Sequence, residues 1–84
     1  MGSRKTLEKA LGGSRNLRFD EVARLAEAFG FRLVRTRGSH HIFVHDALPE
    51  LLNLQSVAGQ AKPYQVRQLL HLVERYNLVL EGDE

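Results

Sequence analysis

The chain has 84 residues, of which 43% are hydrophobic and 26% charged, with a formal net charge of +2 and no cysteine. A domain of this size buries only about 60% of its unfolded surface, which excludes a deep pocket around a large cofactor and leaves shallow grooves for any chemistry. Disulfides, thiol nucleophiles and Cys-based zinc sites are excluded as well. No apolar run reaches the roughly 18 residues of a membrane span, so the expectation is one soluble, cytoplasmic domain over residues 1–84 that needs no cofactor.

In chain order, Leu7, Ala10 and Leu11 fall at helical spacing before Gly12-Gly13 interrupts them, which predicts a short first helix. Residues 1–16 read as an N-terminal extension and residues 17–80 as the core of the domain. A stronger helix is expected from Phe19 to Phe29. Phe19, Val22, Ala26 and Phe29 make its apolar stripe, Arg24 and Glu27 lie away from it, and Gly30 terminates it. The alternation in Phe31 to Thr36 predicts a strand, Gly38-Ser39 a turn, and His40 to Val44 a second strand, together a hairpin. Leu48-Pro49-Glu50 interrupts that pattern, and Leu51 to Gln55 restores a short third strand.

Val57 to Lys62, with Gly59 inside it, is expected to be a loop. Pro63 suits the first turn of a last helix because it needs no amide partner there. On that helix Val66, Leu69, Leu70 and Val73 form the expected buried stripe, Gln65, Arg67, Gln68 and Glu74 the wetter face, and Asn77 the cap. The whole predicts an α+β domain: an αβββα order with a three-stranded antiparallel sheet packed on helices, and an extra short helix at the start.

The run Arg35-Thr36-Arg37-Gly38-Ser39-His40-His41-Ile42-Phe43-Val44-His45 concentrates the chemistry. Charge is uneven: Arg32, Arg35 and Arg37 cluster before the glycine turn, while Glu81, Asp83 and Glu84 end the sequence. Arginines at a strand end attract phosphates and can add two parallel hydrogen bonds; equally, such residues can simply keep a hairpin soluble. An imidazole can take a proton from a ribose 2′-hydroxyl near neutrality. His40 with Arg35, Arg37 or Lys62 would meet the needs of metal-free RNA cleavage, whereas His45 and His71 read as structural.

A metal site built on His40, His41 and His45 is disfavoured. On a strand, His40 and His41 point to opposite faces, and His41 and His45 stand about 13 Å apart. No HExxH helix or carboxylate-rich loop accompanies them, so no metal is expected. Ser39 reads as stabilising the turn or donating to phosphate, and Gly38 as a tight turn that lets the backbone approach closely. Ala61-Lys62-Pro63-Tyr64-Gln65 forms a helix N-terminus where Lys62 could meet phosphate and Tyr64 could stack on a base or, equally, tuck against the sheet.

At Gly38-Ser39-His40-His41-Ile42-Phe43, preceded by Phe29-Gly30-Phe31-Arg32-Leu33-Val34-Arg35, the chain resembles the HicA toxin family, small bacterial mRNA interferases that include the YcfA-like proteins. The resemblance covers roughly residues 19 to 78. It implies a double-stranded-RNA-binding-domain-like αβββα fold, endoribonuclease activity on mRNA, and a cognate HicB-like antitoxin as partner. It picks His40 as the catalytic histidine and leaves His41, in the adjacent variable place, auxiliary. Joined to the reading of the residues above, this makes His40 the expected general base, Ser39 a second auxiliary residue, and Arg35, Arg37, Gly38, Lys62 and Tyr64 the RNA-binding candidates.

One departure matters. Many members carry a Val-Pro-x-His segment after the third strand, where this chain has Leu52-Asn53-Leu54-Gln55-Ser56-Val57. The Asn-Leu-Gln form, together with Asn16-Leu17-Arg18-Phe19 in the extension, resembles a subgroup pattern. The missing second histidine motivates one alternative, a catalytically silent RNA-binding module of the same fold; the other is a toxin-antitoxin interaction subunit whose surface mainly serves its partner.

Overall fold

The structure, a computed structural model, describes residues 2–80; Glu81, Asp83 and Glu84, expected as an acidic end, lie outside the described residues. Three helices, α1 (Ser3–Leu11), α2 (Phe19–Ala28) and α3 (Pro63–Arg75), accompany four strands, β1 (Arg32–Arg37), β2 (His40–Val44), β3 (Leu52–Val57) and β4 (Gln60–Ala61). The sheet runs in the order β1-β2-β3-β4, with every neighbouring pair antiparallel. The α+β class and the αβββα core order are those expected, and the short first helix is present.

Each helix stops where the sequence lets it. At the end of α2, the Phe31 amide donates to Ala26 O and the Gly30 amide to Glu27 O, with Gly30 at φ 100°. That is a Schellman cap, in which the left-handed residue satisfies carbonyls the helix leaves free. At the end of α3, Asn77 takes the same place at φ 54°, its amide bonding Glu74 O and that of Leu78 bonding Val73 O. The expected cap at Asn77 is therefore the observed one.

Among the described residues, helices cover only one face of the sheet. Phe43 of β2 and Leu52 and Leu54 of β3 pack with Val22 and Leu25 of α2 and Leu69 of α3, and Leu17 closes the same core. Arg24 and Glu27 are exposed, as the helical stripe implies. Helix α1 lies against α2 and α3 and buries Thr6 and Ala10. The far edge of the sheet is closed by the segment before α2, through Ala61 N to Leu17 O at 3.0 Å and Phe19 N to Gly59 O at 2.9 Å. Among the described residues the β1 edge has no such cover, and all six of its residues are exposed.

Three expectations need correction. Val57 to Lys62 is not a loop: β3 runs on to Val57, Ala58 and Gly59 both take positive φ (53° and 81°), and Gln60–Ala61 pairs back as β4, making four strands. Two consecutive left-handed residues match a two-residue hairpin of the kind usually written Asn-Gly, a signal that Ala-Gly hides. Gln65, assigned to the wet face of α3, is 2% exposed. Leu72 joins Val66 and Leu69 in the core, while Leu70 and Val73 are only partly buried against it.

Two contacts tie loops to this frame. His45 Nδ1 accepts the Ala47 amide at 3.0 Å and its Nε2 reaches Phe29 O at 3.1 Å, so the ring carries its proton on Nε2 and joins the end of α2 to the end of β2. Its edge also meets the Phe31 ring, with centroids 5.1 Å apart. On the other side, Tyr76 Oη donates to Glu50 Oε1 at 2.6 Å, and Arg75 stands 3.9 Å from the same carboxylate. His45 is thus structural, as the sequence suggests, and His71 rides exposed on α3.

Candidate nucleic-acid interface

Register decides which side chains share a face, because directly opposed residues of antiparallel strands project to the same side. Phe43 opposes Leu52 and His41 opposes Leu54 on the helix-covered side. His40 opposite Gln55 and Ile42 opposite Asn53 therefore occupy the open side. On β1, Arg37 opposes His40, Arg35 opposes Ile42 and Arg32 opposes Val44, so all three arginines lie on that open side too.

Simple alternation would not place them together, since Arg32 differs in parity from Arg35 and Arg37. The register shifts between Leu33 and Arg35, leaving Val34 without a partner on β2. A bulge of this kind adds one residue to one strand and resets its phase. Val34 is 47% exposed, like its paired neighbour Leu33, and Arg32 falls back into line with the other two.

The turn between β1 and β2 uses Gly38 at φ 60° while Ser39 stays at ordinary φ, as in a II′ hairpin turn, where only the first loop residue is left-handed. This places Ser39 beside His40 at the rim. His40 is exposed, and its Nδ1 lies 3.4 Å from Asn53 Oδ1 and 3.2 Å from Asn53 Nδ2. His41 faces the other way: its ring lies 4.5 Å from that of Phe19 and its Nδ1 donates to Ser39 O at 3.0 Å. The adjacent histidine thus pins the turn to the start of α2. The three histidines of the run do not converge.

Sequence-predicted residues from two separate segments are joined by a polar chain. Gln55 Nε2 reaches Ser39 Oγ at 3.5 Å, Gln65 Nε2 reaches Gln55 Oε1 at 3.5 Å, and Gln65 Nε2 also lies 3.4 Å from Tyr64 Oη. These are long contacts. The short one is Gln55 N to Gln65 Oε1 at 2.6 Å, which fixes the buried Gln65 side chain against β3. Lys62 precedes α3 with its Nζ 5.9 Å from the Tyr64 ring centroid, and Tyr64 is 54% exposed. Tyr64 is therefore not tucked against the sheet.

Charge on this surface is mostly uncompensated. Arg32 Nη2 meets Asp46 Oδ1 at 3.2 Å, whereas among the described residues no ion pair engages Arg35, Arg37 or Lys62. The result is a shallow basic face with one exposed imidazole, flanked by amides and an exposed tyrosine. Sequence reasoning missed Asn53 and Gln55 as members of it, and the buried Gln65 behind them. The alternation of Asn53 and Gln55 with the buried Leu52 and Leu54 was the available signal.

A family model described as HicA toxin of bacterial toxin-antitoxin matches residues 19–74, from the first residue of α2 almost to the last of α3, and so contains every residue of this face. No curated protein and no solved structure matches the chain.

Proposed function

The chain belongs to the HicA toxin family, and on that premise we propose that it is a metal-independent endoribonuclease acting on mRNA in the cytoplasm, with His40 as general base and a cognate HicB-like antitoxin as its partner. In this mechanism His40 Nε2 takes the proton of a ribose 2′-hydroxyl. The 2′-oxygen attacks the adjacent phosphorus, the P–O5′ bond breaks, and a 2′,3′-cyclic phosphate forms. The 5′-oxygen leaves as a hydroxyl after taking a proton from water, which reaches the open face freely.

Charge accumulates on the phosphoryl oxygens as the bond order changes, so cations fixed nearby favour the transition state over the ground state. Arg35, Arg37 and Lys62 take that role, Ser39 and the Gly38 turn hold His40 at the rim, and Tyr64 offers a ring on which an unpaired base stacks. His41 acts only through the turn that it pins. The observation that supports this reading best is the shared face of His40, Arg35 and Arg37, aligned across β1 and β2.

The test is incubation of the wild-type protein and His40→Ala with mixed RNA in EDTA, followed by analysis of the 3′ ends. Cyclic phosphate ends that appear with wild type and vanish with His40→Ala are expected, with a nearly unchanged fold because His40 is exposed. Activity rising with pH in a single limb, as an imidazole loses its proton, completes the expectation. Cleavage that survives in the variant, or needs a divalent ion, refutes it. RNA binding with no cleavage at high protein concentration would instead support the silent RNA-binding module that the absent second histidine motivates.

A further inference from the structure

We infer that Asn53 is the positioning residue of His40: its side-chain Oδ1 accepts the Nδ1 proton, so that Nε2 presents a lone pair to RNA. The inference rests on the ribonuclease reading and adds to it the device that selects the reactive tautomer. Asn53 and His40 lie on the same open face of adjacent strands, and the imidazole Nδ1 stands 3.4 Å from Oδ1 and 3.2 Å from Nδ2 of the amide. The two amide atoms exchange places by a half turn of the side chain, so chemistry decides which one faces the ring.

If Nδ2 faces Nδ1, the ring nitrogen must accept, the imidazole proton sits on Nε2, and His40 cannot act as a base through its free nitrogen. If Oδ1 faces Nδ1, the proton sits on Nδ1 and Nε2 is free. The second arrangement also survives proton transfer: the imidazolium keeps its Nδ1–H on Oδ1, whereas Nδ2 would oppose one N–H with another. A base that cycles between neutral and charged forms therefore needs Oδ1 in both.

The other neighbours on that face cannot do this. Arg37 directly opposite is a cation with donors only, Gln55 on β3 is engaged with Ser39 and Gln65, and Arg35 lies two pairs further along. An amide also orients the ring without adding negative charge beside Arg35 and Arg37, where a carboxylate would compete with phosphate for the same cations.

The experiment has a spectroscopic arm and a kinetic arm, each run on the wild type, Asn53→Leu and Asn53→Asp. Long-range ¹H–¹⁵N correlation spectra of the histidine rings are expected to show the wild-type His40 as the Nδ1–H tautomer at alkaline pH. Asn53→Leu, similar in shape but without a hydrogen bond, is expected to lose that bias. In RNA cleavage its kcat should fall on the order of tenfold or more, by analogy with metal-bound histidines that lose their orienting partner. Asn53→Asp should keep the tautomer and move the rising limb of activity to higher pH, because a carboxylate favours the imidazolium.

An Nε2–H tautomer in the wild type overturns the inference, as does an Asn53→Leu protein with unchanged tautomer and kcat. Should the tautomer depend on Asn53 while the wild type cuts no RNA, the ribonuclease reading fails and the hold of Asn53 on His40 stands.

Discussion

Removing Arg35 and Arg37 together should change how RNA binding responds to salt by an amount that the charges themselves set. A protein that neutralises phosphates releases condensed counterions, and for single strands the slope of log K against log salt is about −0.7 per phosphate contact. Arg35 and Arg37 share the His40 face and no described residue pairs with them, so the variant Arg35→Gln/Arg37→Gln loses two contacts. Its slope should be shallower by about 1.4. Between about 1 M and 0.1 M salt the parent then gains about 25-fold more affinity than the variant, or about 2 kcal/mol. Fluorescence anisotropy with a labelled single-stranded RNA reads this directly, with His40→Ala as the parent so that the probe stays intact. Arg32→Gln should change the slope less, because Asp46 already compensates part of its charge at 3.2 Å. Equal slopes for parent and double variant would refute the argument and leave the arginines as solubilising residues of a hairpin.

Two further substitutions test the frame that carries the site. Gly30→Ala combines a left-handed φ of 100° with a Cβ only 2.7 Å from His45 Nε2, whereas Gly13→Ala meets a similar φ of 86° with nothing within 4 Å. Backbone strain of roughly 1–3 kcal/mol is common to both. Gly30→Ala should cost about 1 kcal/mol more by displacing the His45 bond to Phe29, a difference of about 4–8 °C in melting temperature; equal losses would mean that His45 holds nothing. Tyr76 concerns alkaline pH. Its hydrogen bond to Glu50 Oε1 raises its pKa above the ordinary 10.0, desolvation and the Glu50 charge adding to the effect and Arg75 opposing it. The folded state then holds this proton more tightly than the unfolded state. Its contribution is complete below the unfolded value and is lost as pH rises through the folded one. In chemical denaturation between about pH 9 and pH 11.5, the stability difference between wild type and Tyr76→Phe should shrink as pH rises; a constant difference would contradict the assignment.

How much of this was legible follows from the range over which each signal acts. Gly30 as terminator, Asn77 as cap, Pro63 at the first turn and the Gly38-Ser39 turn are decided within a few residues, and each is found where the sequence puts it. The β3–β4 hairpin is as local, but its left-handed Ala58 carries no composition cue and β4 has two residues, too few to show an alternation. Gln65 fails for another reason. Helical periodicity assigns a face by polarity, yet this side chain is buried because the Gln55 amide of another element needs its oxygen. Such a need exists only once α3 has met β3.

The candidate site shows the same division more sharply. His40 was readable because it follows a hairpin turn, but its partner Asn53 is 13 residues further on and becomes one only through the β2–β3 register. The arginines depend on something finer still. By parity alone Arg32 belongs on the opposite face from Arg35 and Arg37, and only the unpaired Val34 brings the three together. Because the pairs on either side of that bulge are already Leu33 with Phe43 and Arg35 with Ile42, Val34 is an insertion into an otherwise continuous ladder. The charge pattern of this face is therefore set by one apolar residue outside the core cluster, and no polarity-based reading of β1 could have singled it out.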